Sequence, residues 1–143
     1  MCIRDRDEVI QLKSKVQDKL KLNGLRPTRA RIRIGMILFD QPKHLSAEQV
    51  HEKLKLKGYT ISKATVYNTL NAFAELGIVS EVTVDPTRTY YDSTTKPHHH
   101  FFNVDTRQLL DIPSDDIRVE NLPRLPDNTE IQDLEIVVKI SNK

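Results

Sequence analysis

Between Asp7 and Leu22 the apolar residues Val9, Ile10, Val16 and Leu20 form an imperfect helical stripe that stops at Asn23-Gly24, which predicts a first helix. Thr28 follows Pro27 as a plausible N-cap, and Ala30, Ile34, Ile37 and Leu38 then recur at helical spacing until Asp40-Gln41-Pro42. Proline ends that second helix. Ser46-Ala-Glu-Gln49 has the form of a capping box, Ala47, Val50 and Leu54 make one stripe, and Gly58 supplies the stop of a third helix.

A fourth helix is predicted from Ser62, the N-cap, to Gly77. At 100° per residue Val66, Leu70 and Phe73 fall within about 60° of one another, while Ala64, Tyr67, Asn68 and Asn71 project from the other side. That outward face lacks the usual Lys and Glu. It offers small side chains, two amides and an aromatic ring, groups that can approach and hydrogen-bond base edges in a major groove. Ile78 to Val84 alternates, Asp85-Pro86-Thr87 is a turn, and Thr89-Tyr90-Tyr91 continues extended, the pattern of a β-hairpin. Helices followed by a hairpin make a winged helix. In that arrangement Arg88 sits at the wing tip, and Ser62, Lys63 and Thr65 at the start of the fourth helix can meet phosphates.

After Lys96-Pro97 three candidate strands follow, Phe101–Val104, Gln108–Ile112 and Ile131–Ile140. The expected class is α+β, an N-terminal winged helix-turn-helix DNA-binding domain over residues 1–93 and a small strand-rich α/β dimerisation domain over residues 94–143. The second module is too short for an independently stable core, so a homodimer is expected. Two-fold symmetry would also place two recognition helices on a palindromic operator in double-stranded DNA.

Charge separates the same two parts. Residues 1–96 carry 17 Lys and Arg against 11 Asp and Glu, whereas residues 97–143 carry 5 against 9. A basic first part facing a polyanion fits this split. No apolar run approaches the roughly 20 residues of a membrane helix, and the start has no apolar stretch of signal-peptide length. A cytoplasmic protein without a membrane partner is expected. The single cysteine, Cys2, excludes an internal disulfide and any zinc site built from several thiolates of this chain. Metal chemistry then falls to nitrogen and oxygen ligands.

Those ligands gather where the modules meet, at Asp92, His98-His99-His100 and Asp111. In a strand His98 and His100 share one face and His99 takes the other. A two-residue turn at Asp105-Thr106 would set His100 opposite Asp111. Two imidazoles and a carboxylate suit manganese, iron or zinc. An enzyme using such a set is disfavoured, because no general base stands beyond the ligands and a chain with four glycines shows no Gly-rich cofactor loop.

The segments Gly24-Leu-Arg-Pro-Thr-Arg-Ala-Arg, His44-Leu-Ser-Ala-Glu, Ala64-Thr-Val-Tyr-Asn-Thr-Leu-Asn-Ala-Phe and the Tyr-Asp…His-His-His run resemble the ferric uptake regulator family. The resemblance implies a homodimeric, metal-dependent transcription regulator. It assigns a metal site bridging the two domains to His44, Asp92, His98, His100 and Asp111, whereas His51, on the flank of the stripe of the third helix, reads as packing. The resemblance also makes Tyr67 and Asn68 base readers and sends Arg26 to an adjacent AT-rich minor groove.

Departures from the family pattern refine this. Cys-x-x-Cys pairs for structural zinc are absent, with Asn103 and Thr106 where the first pair belongs, so the fold should hold without Cys-ligated zinc. The dimer-domain helix should be lost, because Asn121-Leu-Pro-Arg-Leu-Pro-Asp-Asn contains two prolines. These features look most like the iron response regulator branch, which implies haem as effector and His98, His99 and His100 as its contact. Cys2 precedes Ile3 rather than proline and is not counted as a ligand; the opening residues 1–6 match nothing in the family and read as a misassigned start. A manganese-, ferrous iron- or peroxide-responsive repressor of the same family is the alternative.

Overall fold

The computed structural model describes residues 6–143; the reading of Cys2 and of the first five residues lies outside them. The chain divides into two compact units, one running to Thr95 and the other spanning Lys96–Lys143.

In the first unit α1 (Arg6–Leu22) buries Leu12, Val16 and Leu20. Its inward stripe therefore differs from the expected one, for Val9 and Ile10 are 40% and 56% exposed. The 3.6-residue period that runs back from Leu20 through Val16 reaches Leu12 and leaves both outside. Thr28 caps α2 (Arg29–Phe39) by accepting from the Arg31 N–H. Ile34, Ile37 and Leu38 are buried, as is Gly35, where an added Cβ would meet Val16 Cγ1 at 2.5 Å. The absent side chain lets α1 and α2 pack closely.

The predicted capping box opens α3 (Ala47–Leu56): Ser46 Oγ accepts from the Gln49 N–H at 3.2 Å, and Gln49 Oε1 accepts from the Ser46 N–H at 2.9 Å. Ala47, Val50 and Leu54 are buried. Ser62 caps α4 (Lys63–Glu75), whose Val66, Leu70 and Phe73 are wholly buried. Gly77, at φ +72, carries the chain out of α4 through a left-handed conformation. Ile78 and Val79 join the helical core, so the first wing strand starts later than the alternation suggested.

Three strands complete this unit, β1 (His44–Ser46), β2 (Ser80–Asp85) and β3 (Arg88–Asp92), antiparallel in the order β1-β3-β2. Sequence pattern missed β1, because three residues leading into a capped helix carry no period. Its register sets His44 against Asp92 and Leu45 against Tyr91.

The second unit is a sheet of β4 (His99–Asn103), β5 (Leu109–Ile112) and β6 (Val137–Ile140) in the order β5-β4-β6. β4 and β5 are antiparallel, and β6 lies parallel to β4. The connection is a wider loop than the two-residue turn expected. The Asn103 N–H donates to the Gln108 carbonyl, Asn103 Oδ1 accepts from the Asp105 and Thr106 N–H groups, and Arg107 takes φ 61. The wider loop is centred on the same point, so His100 still pairs with Asp111. β6 starts at Val137, six residues later than expected. A single 3-10 turn at Ser114–Asp116 is the one helical element of this unit, as the prolines implied. The α+β class is the one expected. Among the described residues no helix is long and apolar enough to cross a membrane.

Candidate functional site

Chemistry-bearing side chains collect at two places on the first unit. Where β1 meets β3, Asp92 is 1% exposed. Its Oδ1 accepts from the Thr94 N–H at 2.8 Å, and its Oδ2 lies 3.6 Å from His44 Nε2. The unexpected strand β1 is what brings this imidazole to this carboxylate.

In the second unit His98 Nδ1 donates to the Lys96 carbonyl at 2.7 Å. That bond fixes the tautomer and leaves the lone pair on Nε2. His98 Nε2 lies 3.3 Å, and His100 Nε2 3.4 Å, from the same Asp111 Oδ1. The two rings meet edge to face with centroids 4.5 Å apart. A carboxylate oxygen shared by two imidazole nitrogens either accepts from an N–H or, when both nitrogens offer lone pairs, closes with them around a cation. Two nitrogens and one oxygen suit borderline divalent metals, so the donor set fits manganese, ferrous iron or zinc. His99 points elsewhere: 8% exposed, its Nδ1 accepts from the Ile136 N–H at 3.1 Å. It tethers the chain leading into β6.

Glu135, which the sequence did not single out, belongs to the same neighbourhood. Burial raises its carboxyl above the ordinary value, and the nearby His100, His98 and His99 oppose that rise. A lone acidic residue in an irregular stretch carries no periodic signal that would have found it.

The outward face of α4 is the second place. Tyr67 is 41% exposed, and Lys63, Ala64, Asn68 and Asn71 are exposed. Ser62 Oγ accepts from the Thr65 N–H at 3.1 Å and donates to Thr65 Oγ1 at 2.9 Å, so the two hydroxyls expected at phosphates are engaged with each other. Arg88 opens β3, half-buried and paired with Asp85 across the turn. Arg26 is exposed, its carbonyl accepting from Arg31 Nη1. His51 is half-buried on α3.

Two further side chains touch the α4 face and escaped the sequence reading. The Tyr67 hydroxyl donates to Glu48 Oε1 in the first turn of α3, and the buried Tyr91 hydroxyl donates to Asn71 Oδ1 at 3.1 Å. The bond to Glu48 pushes the Tyr67 phenol up to about 12 and lowers the Glu48 carboxyl. What the bond contributes is present below the ordinary tyrosine value of 10 and is lost as pH rises through about 12. On the acid side it is present above 4.5 and is lost as pH falls through the lowered Glu48 value. Glu48→Ala is expected to return Tyr67 to its ordinary range, followed by NMR titration of the ring signals. A Tyr67 that already titrates near 10 in the unaltered chain would rule the bond out.

A three-helix core with a capped fourth helix and a two-stranded wing defines the winged helix-turn-helix class, here joined in one chain to a His- and Asp-bearing sheet. The sequence profile of the ferric uptake regulator family matches residues 22–139, and the chain belongs to that family. The ferric uptake regulation protein of Vibrio parahaemolyticus is 37% identical over 101 residues, 68% of this chain and 66% of its own length. The peroxide-responsive repressor PerR of Staphylococcus epidermidis is 32% identical over 92 residues, 64% of this chain and 61% of the relative. The chain spans about two thirds of the length of most of the curated relatives it matches. Among solved structures, the ferric uptake regulator of Francisella tularensis with iron gives a TM-score of 0.69 at 25% identity, over 84% of this chain and 93% of that one.

Proposed function

We propose that this chain is a metal-responsive regulator of transcription that binds operator DNA as a homodimer in the cytoplasm, with His44, Asp92, His98, His100 and Asp111 as its metal ligands. The observation that carries the reading is the convergence of His98 Nε2 and His100 Nε2 on Asp111 Oδ1, a two-nitrogen, one-oxygen donor set suited to a divalent cation. The names of the relatives support it, since they describe iron uptake regulation and a peroxide-responsive repressor. A bound divalent ion supplies charge that neutralises the carboxylates. By the family resemblance both ligand sets serve one ion. Only five residues separate Asp92 from His98, so an ion held by both would restrain that connection and couple occupancy to operator affinity.

On the DNA side α4 presents Tyr67 and Asn68 to base edges, with Lys63, Ser62, Thr65 and Arg88 toward phosphates and Arg26 toward a minor groove. For the dimer, Phe101 pairs with Leu110 on one side and Val138 on the other, and these three are 37%, 43% and 36% exposed. An apolar row across three strands is the surface a second copy would cover.

A second reading places the chain in the iron response regulator branch, with haem as effector at His98, His99 and His100. It is favoured by the lack of any cysteine pair in a chain with one cysteine. Burial of His99 and His100 leaves His98 as the most accessible axial ligand. One titration separates the readings. The apo-protein is titrated in turn with Mn(II), Fe(II), Zn(II) and haem, following operator binding and the Soret band in the same samples. Metal-dependent operator binding indifferent to haem supports the first reading; saturable haem uptake with loss of the DNA complex supports the second. A chain that binds no duplex with sequence preference under any of these conditions refutes both.

A further inference from the structure

Tyr67 and Asn71 stand four residues apart on α4, one above the other on its exposed face and about 6 Å apart along the axis. That is roughly two base-pair steps of a duplex. On a bare helix face both groups are ambiguous readers. A phenol rotates between donating and accepting, and an amide turned by 180° exchanges its carbonyl for its NH2. Here each is held by a side chain from another element. The single proton of Tyr67 goes to Glu48 on α3, so toward DNA the phenol offers lone pairs. The Asn71 carbonyl accepts from Tyr91 on β3, so the amide directs its NH2 outward.

The placement of the two holding residues argues for this role. Tyr91 is 4% exposed, and its backbone is locked between β1 and β2 through pairing with Leu45 and Glu81. Its hydroxyl is thus presented from a rigid element. Glu48 is the converse case, a carboxylate beside a face that must approach phosphates, where a negative charge opposes association with any sequence. Its bond to Tyr67 accounts for a charge that general affinity disfavours.

We propose that Tyr91 and Glu48 are specificity-determining positioning residues, which fix the hydrogen-bond polarity of Asn71 and Tyr67. Asn71 then reads a base acceptor, guanine O6 or N7, adenine N7 or thymine O4. Tyr67 reads a base amino group, adenine N6 or cytosine N4. The inference rests on the operator-reading role of α4 given above.

The test uses the full chain with whichever of Mn(II), Fe(II) or Zn(II) supports operator binding. Duplexes are selected from a randomised pool, and affinities are then measured for the selected operator and each single-base variant. The unaltered chain should discriminate about 10-fold to 100-fold at both positions. Tyr91→Phe, which keeps the buried ring, should lose most of that preference at the position read by Asn71 alone. Its salt slope and thermal midpoint should stay those of the unaltered chain. Glu48→Ala should flatten the other position and bind random duplex more tightly. Retention of the full preference by either variant overturns the role given to that residue. A fall in affinity that is uniform across all positions and accompanied by a lower midpoint overturns the proposal in favour of a purely structural role. An unaltered chain without any sequence preference refutes the operator-reading function itself.

Discussion

Exchange of His100 for Ala is expected to weaken binding of Mn(II) or Zn(II) by on the order of 100-fold or more, since loss of an outer partner alone commonly costs about 10–100-fold. The His100 imidazole is 2% exposed, and its Nε2 is one of the two nitrogens aimed at Asp111 Oδ1. Removing it leaves His98 and one carboxylate oxygen in this unit, too few donors for a firmly held ion. Because a buried ring also fills space, Asp111→Asn serves as the second variant. That side chain is 50% exposed and nearly isosteric with its replacement, so the sheet should persist while the charge is lost. Competition against a chelating dye reads the affinity, and circular dichroism reads the fold. Wild-type affinity in both folded variants would remove these residues from the metal site.

Phe73→Ala should lower the stability of the first unit by about 3–5 kcal/mol. The ring is fully buried, its centroid lies 6.1 Å from that of the tilted Phe39 ring, and it belongs to the core cluster to which all four helices contribute. Its carbonyl also accepts from the Ile78 N–H as the chain leaves α4. Against a typical stability of about 5–15 kcal/mol the loss is large enough to abolish a marginal fold. Asn68→Ala, on the opposite face of the same helix, should change stability by no more than about 0.5 kcal/mol. Urea denaturation measures both, and a Phe73→Ala loss below about 1 kcal/mol would contradict the central place given to this side chain.

The four helices were legible because each joins a short-range period to a cap read from a single residue. Thr28, Ser46 and Ser62 all cap as their sequences suggest. α1 was the weakest, since its polar stretch offers two registers of apolar residues and only packing against α2 selects Leu12 over Val9 and Ile10. The hairpin of β4 and β5 was legible in register but not in loop length, for the side chain of Asn103 closes a wider turn on the same centre. β6 was placed too early because Ile131 and Leu134 continue an apolar pattern although their backbone stays irregular. The five ligand candidates were all visible in the sequence as residue types. Two of them, His100 and Asp111, are paired by the register that local spacing suggests. His44 and Asp92 are not, being separated by 48 positions in the chain.

By itself the sequence determined the elements whose cause is local: helix faces, caps, the wing turn, and the alternation that sends His98 and His100 one way and His99 the other. Tertiary structure alone decided what distant segments meet. It made three residues before α3 into a strand and so brought His44 to Asp92. It bent the chain so that β6 runs parallel to β4, with His99 tethered beside Ile136. It also set Glu48 and Tyr91 against the two side chains that face outward from α4. The reason is physical. A period of 3.6 or 2 residues is written along the chain, whereas a hydrogen bond across 19 or 20 positions exists only once burial of the core has chosen which helix and which strand lie side by side.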